Sequence, residues 1–223
     1  MFKRIAALLA LSTLAACGGG THSGASDKSL AGIFVQNVQG VVTARRAAPP
    51  DARAVLTADL IASAESSLLL VVNRNADAGF TMVPLSVNRG VEQWTDASGG
   101  GLLRRNGVLV GTRGLGFDLL TADVDPLLQA LGRGGGQAVR VNRYLDGQNQ
   151  VVAVQFICDV RRAGGQTLEY YGRHYVTTVY EEDCRGDAES FTNRYWIDRA
   201  GGIRRSEETV SPEIGVLEIN QLK

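Results

Sequence analysis

Asn106-Gly107, set between Leu102-Leu103-Arg104-Arg105 and Val108-Leu109-Val110, constrains the fold more than any other stretch of the chain. A two-residue type I′ turn needs positive φ at both central positions, and Asn-Gly supplies it with little strain. The apolar runs on either side are therefore expected to pair as an antiparallel hairpin. The body of the chain repeats this kind of signal. Leu68–Val72 is a short apolar strand, and Phe80–Val87 alternates, with Pro84 marking an edge or a bulge. Val151–Val160 puts Val152, Val154, Phe156, Cys158 and Val160 on one face and Gln155 and Asp159 on the other. Thr167–Tyr180, Phe191–Asp198, Ile203–Val210 and Gly215–Leu222 complete the strands. Helix signals are sparse. Thr57 can cap a short helix to Ala64, and Asp123–Leu131 carries Pro126 in its first turn and Gly132 at its end. Gly132–Gly136 reads as a loop, with no Lys-Ser/Thr after it to make a phosphate-binding turn. The expected fold is all-β, mainly antiparallel, a curved barrel-like sheet or a sandwich with one or two short helices.

The N-terminus is of a different kind. Lys3 and Arg4 precede an uncharged run, Ile5–Ala16, made mostly of Ala and Leu. A bilayer span needs about 20 apolar residues, so this run has the length of a signal-peptide core instead. Leu14-Ala15-Ala16-Cys17 resembles the bacterial lipobox. That resemblance implies cleavage before Cys17 and a diacylglycerol on its sulfur, an anchor in which each buried methylene contributes about 0.8 kcal/mol. Gly18 rather than Asp follows, which under the Gram-negative sorting rule implies the outer membrane. The chain therefore divides into a signal peptide (1–16), a lipidated cysteine with a Gly/Ser-rich tether (17–29) and a single β-rich domain (30–223). The tether reaches on the order of 20 Å. His22 lies in it and reads as a linker residue.

Removing the signal takes away Lys3 and Arg4 and leaves acidic residues in slight excess, so no basic face is expected for nucleic acid or anionic headgroups. Cys158 and Cys184 remain, an even number in an exported chain, which points to a disulfide. A straight hairpin turning near Ala163-Gly164-Gly165 would oppose it: Cys184 would then lie about 40 Å beyond the partner of Cys158 at about 3.3 Å per residue. Pairing then needs a bent strand or a loop at Glu181–Ala188 that folds back, and two unpaired thiols are the alternative. No catalytic constellation stands out. His174 has no Cys or His at ligand spacing, so no metal or cofactor is expected. Glu181-Glu182-Asp183 and Glu207-Glu208 read as solvated turns and faces, although a glycosidase could use two carboxylates across a cleft.

One internal echo appears. Trp94-Thr-Asp96-Ala-Ser-Gly99-Gly100 and Trp196-Ile-Asp198-Arg-Ala-Gly201-Gly202 share the pattern Trp-x-Asp-x-x-Gly-Gly and hold both tryptophans of the chain. The structural reading is two hairpin turns, Asp capping each and Gly in the αL position, with Trp packed on the sheet. The functional reading is a pair of aromatic platforms for sugar rings.

Two longer blocks resemble a known family. The first runs Asn106-Gly107-Val-Leu-Val-Gly-Thr112-Arg113-Gly114-Leu115-Gly-Phe-Asp118-Leu119. The second runs Asn193-Arg-Tyr195-Trp196-Ile-Asp198, then Gly202-x-x-Arg205-Ser206, Ser211-Pro212 and the closing Leu222-Lys223. Both are similar to blocks of the YjbF/GfcB lipoproteins, which are associated with group 4 capsule and other exopolysaccharides. Val108 stands where that pattern has Arg. The resemblance implies an all-β periplasmic domain on the outer membrane that acts in polysaccharide secretion or assembly, and it carries no catalytic residue. The expected partners are the membrane, through the lipid, and polysaccharide or an export protein. Candidate contacts are Trp94, Asp96, Tyr195, Trp196, Asp198 and Arg205. A periplasmic lipid or lipoprotein carrier and a polysaccharide-modifying hydrolase are the alternatives. Replacing Cys17→Ala is expected to leave a folded domain that no longer sediments with membranes. Fractionation checks this, and a membrane-bound, acylated Cys17→Ala protein would refute it.

Overall fold

Asn106 and Gly107 take φ of 48° and 84° and join strands Gly101–Arg105 and Val108–Arg113 in the expected hairpin. Arg89-Gly90 (48°, 77°) and Tyr171-Gly172 (49°, 80°) make turns with the same pair of positive φ angles. The computed structural model describes residues 50–223. Its elements in chain order are α1 (Ala52–Val55), α2 (Ala58–Ser63), β1 (Leu69–Asn73), β2 (Ala78–Asn88), β3 (Val91–Thr95), β4 (Gly101–Arg105) and β5 (Val108–Arg113). There follow β6 (Thr121–Asp123), α3 (Asp125–Gly132), β7 (Gly136–Leu145), β8 (Val151–Tyr170), β9 (Arg173–Arg185), β10 (Ser190–Asp198), β11 (Ile203–Ser211) and β12 (Gly215–Gln221). The expected signal peptide, Cys17, the tether and residues 30–49 lie outside the described residues. Among the described residues no helix is long and apolar enough to cross a membrane.

The strands form one antiparallel sheet in the order β5-β4-β3-β2-β1-β12-β11-β10-β9-β8-β7-β6. The sheet curls into a nearly closed barrel. Its two ends approach through backbone bonds: Thr112 N–H donates to Leu119 C=O (2.9 Å), and Leu120 N–H donates to Arg143 C=O (2.8 Å). Closure of this kind limits the unpaired strand edge that an open sheet would expose. Two of the three short helices behave as read, and α1, which the sequence reading did not include, is capped by Asp51 accepting from Arg53 N–H. Thr57 Oγ1 accepts from Leu60 N–H at the start of α2, and Pro126 lies in the first turn of α3. Pro84 sits at a register shift between β2 and β3, the bulge it marked.

Inside the barrel Leu69, Val71, Met82, Leu102, Leu109, Leu217 and Ile219 pack into the main core. A second cluster sits outside: Leu70, Val72 and Leu222 lie under Ala52 and Ile61 of the two N-terminal helices, with Tyr170 and Tyr171 against them. Those tyrosines are the tip of the β8–β9 hairpin. This hairpin breaks register between Arg162 and Gly164, and its distal half reaches back over the outer face of the sheet. Tyr170 Oη donates to Asn220 Oδ1 on β12 (2.6 Å), and Trp196 Nε1 donates to Gln166 Oε1 on β8 (2.8 Å).

That hairpin corrects the expected turn. The Ala163-Gly164-Gly165 stretch is the bulge, not the reversal, and the chain turns at Tyr171-Gly172. Cys158 and Cys184 therefore face each other directly, with Cα atoms 4.0 Å apart, and form a disulfide. It is buried beside Phe156 and Phe191, whose rings meet edge to face at 4.9 Å. The strand β7 also went unread. It turns Arg140 and Asn142 inward and Val139 outward, which inverts the apolar-in alternation by which a half-buried strand is recognised. Replacing both cysteines, Cys158→Ala with Cys184→Ala, is expected to cost about 2–4 kcal/mol by removing the cross-link from the unfolded chain. Urea unfolding of the oxidised wild type and the double variant measures it.

Candidate functional site

The barrel interior holds a charged cluster where a core would ordinarily be apolar. Arg140 projects from β7, Glu182 from β9, Asn193 and Tyr195 from β10 and Glu208 from β11, all essentially without exposed surface. Arg140 Nη1 donates to Glu182 Oε2 at 3.1 Å and to Oε1 at 3.3 Å. Asn193 Nδ2 donates to Glu182 Oε2 at 2.8 Å, and Asn193 Oδ1 accepts from Thr209 N–H at 2.8 Å. Leu109 N–H donates to both oxygens of Glu208, at 3.1 and 3.0 Å. Between the carboxylates stands the Tyr195 hydroxyl, 2.9 Å from Glu182 Oε2 and 3.3 Å from Glu208 Oε2. A phenol has one proton to donate. If it goes to Glu182, the contact to Glu208 is satisfied by a proton on Glu208.

The electrostatics agree with that arrangement. Burial pushes the Glu208 carboxyl above the ordinary range, against the pull of Arg140, Leu109 N–H and Arg104. Burial, then the two carboxylates, push the Tyr195 phenol well above its usual value, so it stays neutral. Burial pulls the Arg140 guanidinium down, but Glu182, Tyr195 and Glu208 outweigh it and hold it above its usual value. Glu182 and Glu208 were expected on solvated faces. Only their neighbours Glu181 and Glu207 face outward, where Arg194 reaches Glu181 at 3.0 Å and Arg74 reaches Glu207 at 2.9 Å. Strand alternation separates the members of each pair, and nothing in the sequence says which one is inside.

Next to this cluster a cleft of about 880 Å³ opens to solvent. Three turns or helix ends surround it: the β4–β5 turn at Asn106-Gly107, the β10–β11 turn at Ala200–Gly202 and the C-terminal end of α3 at Leu131 and Gly132. Trp94, Arg104 and Ile203 lie in its floor. Glu92 and Trp94 are on one strand, and Glu92 faces Arg104 directly across β3 and β4. The Glu92 carboxylate is taken up by the indole, however, with Trp94 Nε1 donating to Oε2 at 3.1 Å. Arg104 Nε and Nη2 donate instead to Gly107 C=O at 3.2 and 2.9 Å, and its Nη1 donates to Gln221 Oε1 at 3.2 Å. Gly107 is constrained twice: its φ is positive, and a Cβ there would come within 3.0 Å of Ile203 Cβ.

The expected site residues fall into three places. The two Trp-x-Asp-x-x-Gly-Gly segments are matching hairpin turns, as the structural reading had it. Asp96 Oδ1 accepts from Ser98 and Gly100 N–H, and Asp198 Oδ1 accepts from Ala200 and Gly202 N–H, with Gly99 and Gly201 at positive φ. Asp146 builds a third such turn with Gln148 and Gln150, with Asn149 at the positive φ; the Trp-based pattern did not find it. Trp94 is 4% exposed and Trp196 6%, so neither offers an open face. Trp94 reaches the cleft floor, and the second echo contributes Ala200–Gly202 to the same cleft. Trp196 lies on the other side of the sheet from Tyr195, beneath the β8–β9 hairpin. Arg205 stacks over its ring at 5.1 Å and pairs with Glu218 at 2.7 Å. Tyr195 belongs to the interior cluster. Arg104 and Arg140, which organise the cleft and the interior, carry no functional reading in the sequence, and Glu208 reads there as part of a solvated face. The one signal that could have found Arg104 was its place beside the Asn-Gly turn.

Removing one partner from a buried ion pair leaves the other uncompensated, so Arg140→Met is expected to cost about 3–5 kcal/mol, and Arg140→Met with Glu182→Met less than that. Urea denaturation of the three proteins decides it, and equal losses would contradict the pairing. The Glu208 proton gives a pH dependence of known sign. Its native pKa is raised, so its contribution is full below about pH 4.3, the unfolded glutamate value, and is lost as pH rises through the native value. The stability of wild type relative to Glu208→Gln should therefore fall with rising pH over that window.

In comparison with known proteins, the chain matches over residues 33–222 the family described as "Group 4 capsule polysaccharide lipoprotein gfcB, YjbF". No curated protein matches it in sequence. Among solved structures it is similar to the hypothetical lipoprotein YmcC from Escherichia coli (K12), with a TM-score of 0.69 and 20% identity, covering 89% of this chain and 98% of that one. That likeness is one of fold. The two family blocks now have structural meaning. In the first, Asp118 accepts from the Thr112 hydroxyl (2.7 Å) and from Gly114 and Leu115 N–H, closing the loop after β5; in the second, Asn193 and Tyr195 are members of the interior cluster. With a match that runs through both blocks and nearly the whole described barrel, the chain belongs to the YjbF family of capsule polysaccharide lipoproteins.

Proposed function

We propose that this protein is a non-catalytic accessory in capsule or exopolysaccharide secretion or assembly. It is held by a lipid on Cys17 at the periplasmic face of the outer membrane and binds polysaccharide or an export partner there. The observation that carries the binding part is the cleft over Trp94 and Arg104. Residues from both Trp-Asp-Gly-Gly echoes and from the Asn-Gly turn line it, and its volume of about 880 Å³ falls within the range of about 300–1,000 Å³ common for ligand sites.

The same cleft favours binding over hydrolysis. A glycosidase uses two carboxyl groups about 5–10 Å apart across the scissile bond. Among the described residues lining the cleft Glu92 is the one carboxylate, and the Trp94 indole holds one of its oxygens. The interior pair, Glu182 and Glu208, is sealed within the barrel by Tyr195 and the core around it. A carrier would need a continuous apolar hollow. Here the interior is filled by the core and the charged cluster, and the cleft mixes apolar with charged lining.

Two measurements test the proposal. Cells lacking the protein should retain polysaccharide synthesis but show reduced surface polymer. The wild type should restore it, and Cys17→Ala should not. Restoration by Cys17→Ala would remove the anchor from the function. Gly18→Asp should move the protein from outer- to inner-membrane fractions on a density gradient. A Gly18→Asp protein that stays in the outer fraction would argue against the sorting assignment.

A further inference from the structure

The two guanidinium groups buried in this barrel are treated differently. Arg140 has a carboxylate partner, Glu182, at 3.1 Å. Arg104 is just as deeply placed but makes no ion pair among the described residues; its three hydrogen bonds go to the neutral oxygens of Gly107 and Gln221. A guanidinium carries five N–H donors. Nε, Nη1 and Nη2 each use one here, which leaves one N–H on each Nη. Burying a charge without a counter-charge is costly, and the group stays protonated because arginine does not give up its proton in proteins. Glu92, the acid opposite it, is turned to the Trp94 indole instead. Arg204, at the cleft rim, has its own acid, Asp198, at 2.6 Å. Among the guanidinium groups lining the cleft Arg104 is therefore the one without an ion pair: Glu208 and Glu92 act on it only from beyond pairing distance, and it keeps a planar pair of free donors in the cleft floor.

From this geometry we infer that the cleft binds an acidic sugar residue of a polysaccharide, with the sugar carboxylate on Arg104, which itself lies over the Trp94 ring at 5.9 Å, and the sugar ring against the half-buried Leu128 and Ile197 beside them. The inference rests on the polysaccharide-binding part of the proposed function and adds a site and a charge class to it. A carboxylate matches the two Nη donors as a fork. Glu92 Oε1, the Asn106 side chain and the Ala200 and Gly201 carbonyls supply hydrogen-bonding groups for hydroxyls around the same space, while Leu128 and Ile197 supply apolar surface for a ring face. An acyl chain would leave those polar groups unpaired. The open mouth allows a chain to continue on either side of the bound unit.

Tryptophan reports on the site directly, because the chain has two, one in the cleft floor and one on the outer face. Full-length lipidated protein in detergent, labelled with nitrogen-15 at tryptophan, gives one indole N–H signal for each. Galacturonic acid oligomers are expected to shift the Trp94 signal and leave that of Trp196 in place. Neutral maltooligosaccharides of the same length should bind roughly ten- to a hundredfold more weakly, the worth of charge-assisted hydrogen bonds. Arg104→Gln should erase that preference, but it alters a buried group and can unfold the barrel. Ala200→Trp, at an exposed turn position on the rim, fills the cleft without touching Arg104 and should abolish binding with an unchanged melting temperature. Equal affinity for acidic and neutral oligomers would overturn the charge class while leaving polysaccharide binding intact. Binding that survives Ala200→Trp, or that shifts only Trp196, would overturn the site. Stronger displacement by inorganic phosphate or by phosphatidylglycerol vesicles than by galacturonate would overturn the sugar in favour of a phosphate group. No shift with any oligomer, in a protein that still supports surface polymer in cells, would overturn the inference and leave the accessory role standing; loss of both would remove the role as well.

Discussion

The pairing of Arg140 with Glu182 is the interaction on which the barrel interior depends. It ties β7 to β9 over the strand β8 that lies between them, and through Asn193 and Tyr195 it continues to β10, β11 and the β5 backbone at Leu109. Each member is deprived of water, so each must find its partners inside the protein or raise the free energy of the fold. The cluster is therefore a constraint on strand placement more than a source of net stability. A slip of one residue in any of these strands would turn its member of the cluster outward and leave that member's buried partner unpaired inside.

A second constraint comes from outside the barrel. The β8–β9 hairpin is longer than the sheet it leaves, and the register break at Arg162–Gly164 lets its far half turn across the outer face. There it covers Trp196 and brings Tyr170 and Tyr171 against Leu70, Leu222 and the N-terminal helices. The outer face of β1 there is apolar, at Leu70 and Val72, while β12 offers Asn220 to the Tyr170 hydroxyl and Glu218 to Arg205. The disulfide lies on the near side of the bulge, where β8 and β9 are still part of the barrel wall, and fixes their register beside Glu182.

The cleft connects these features to the proposed function. Its floor is made by the first turn of the barrel that the sequence disclosed, and Arg104 is held there by the Gly107 carbonyl rather than by an acid. The interior thus contains one guanidinium with an ion pair inside the fold, Arg140, and one without, Arg104, in the floor of an open cleft. The family to which the chain belongs is defined by association with capsule polysaccharide, and a cleft whose cation lacks an ion pair suits an acidic polymer better than a neutral one.

Local chemistry was legible where it is local in origin. Asn106-Gly107, Thr57, Pro84 and the Asp-x-x-Gly-Gly turns each act on their own neighbours, so their residue types announce them. The turn at Tyr171-Gly172 was not legible, because Gly164-Gly165 nearby looked like the better reversal and is a bulge. The strand β7 was lost for a deeper reason: its inward residues are Arg140 and Asn142, chosen by partners on strands far away in sequence. The sequence by itself determined an antiparallel all-β chain, the turns that delimit it and its family blocks. Only the tertiary structure decided which carboxylates are interior, that Cys158 meets Cys184, and that Arg104 ends beside a cleft without an ion pair. Those outcomes depend on which strands become neighbours when the sheet closes, and alternation along one strand does not carry that information.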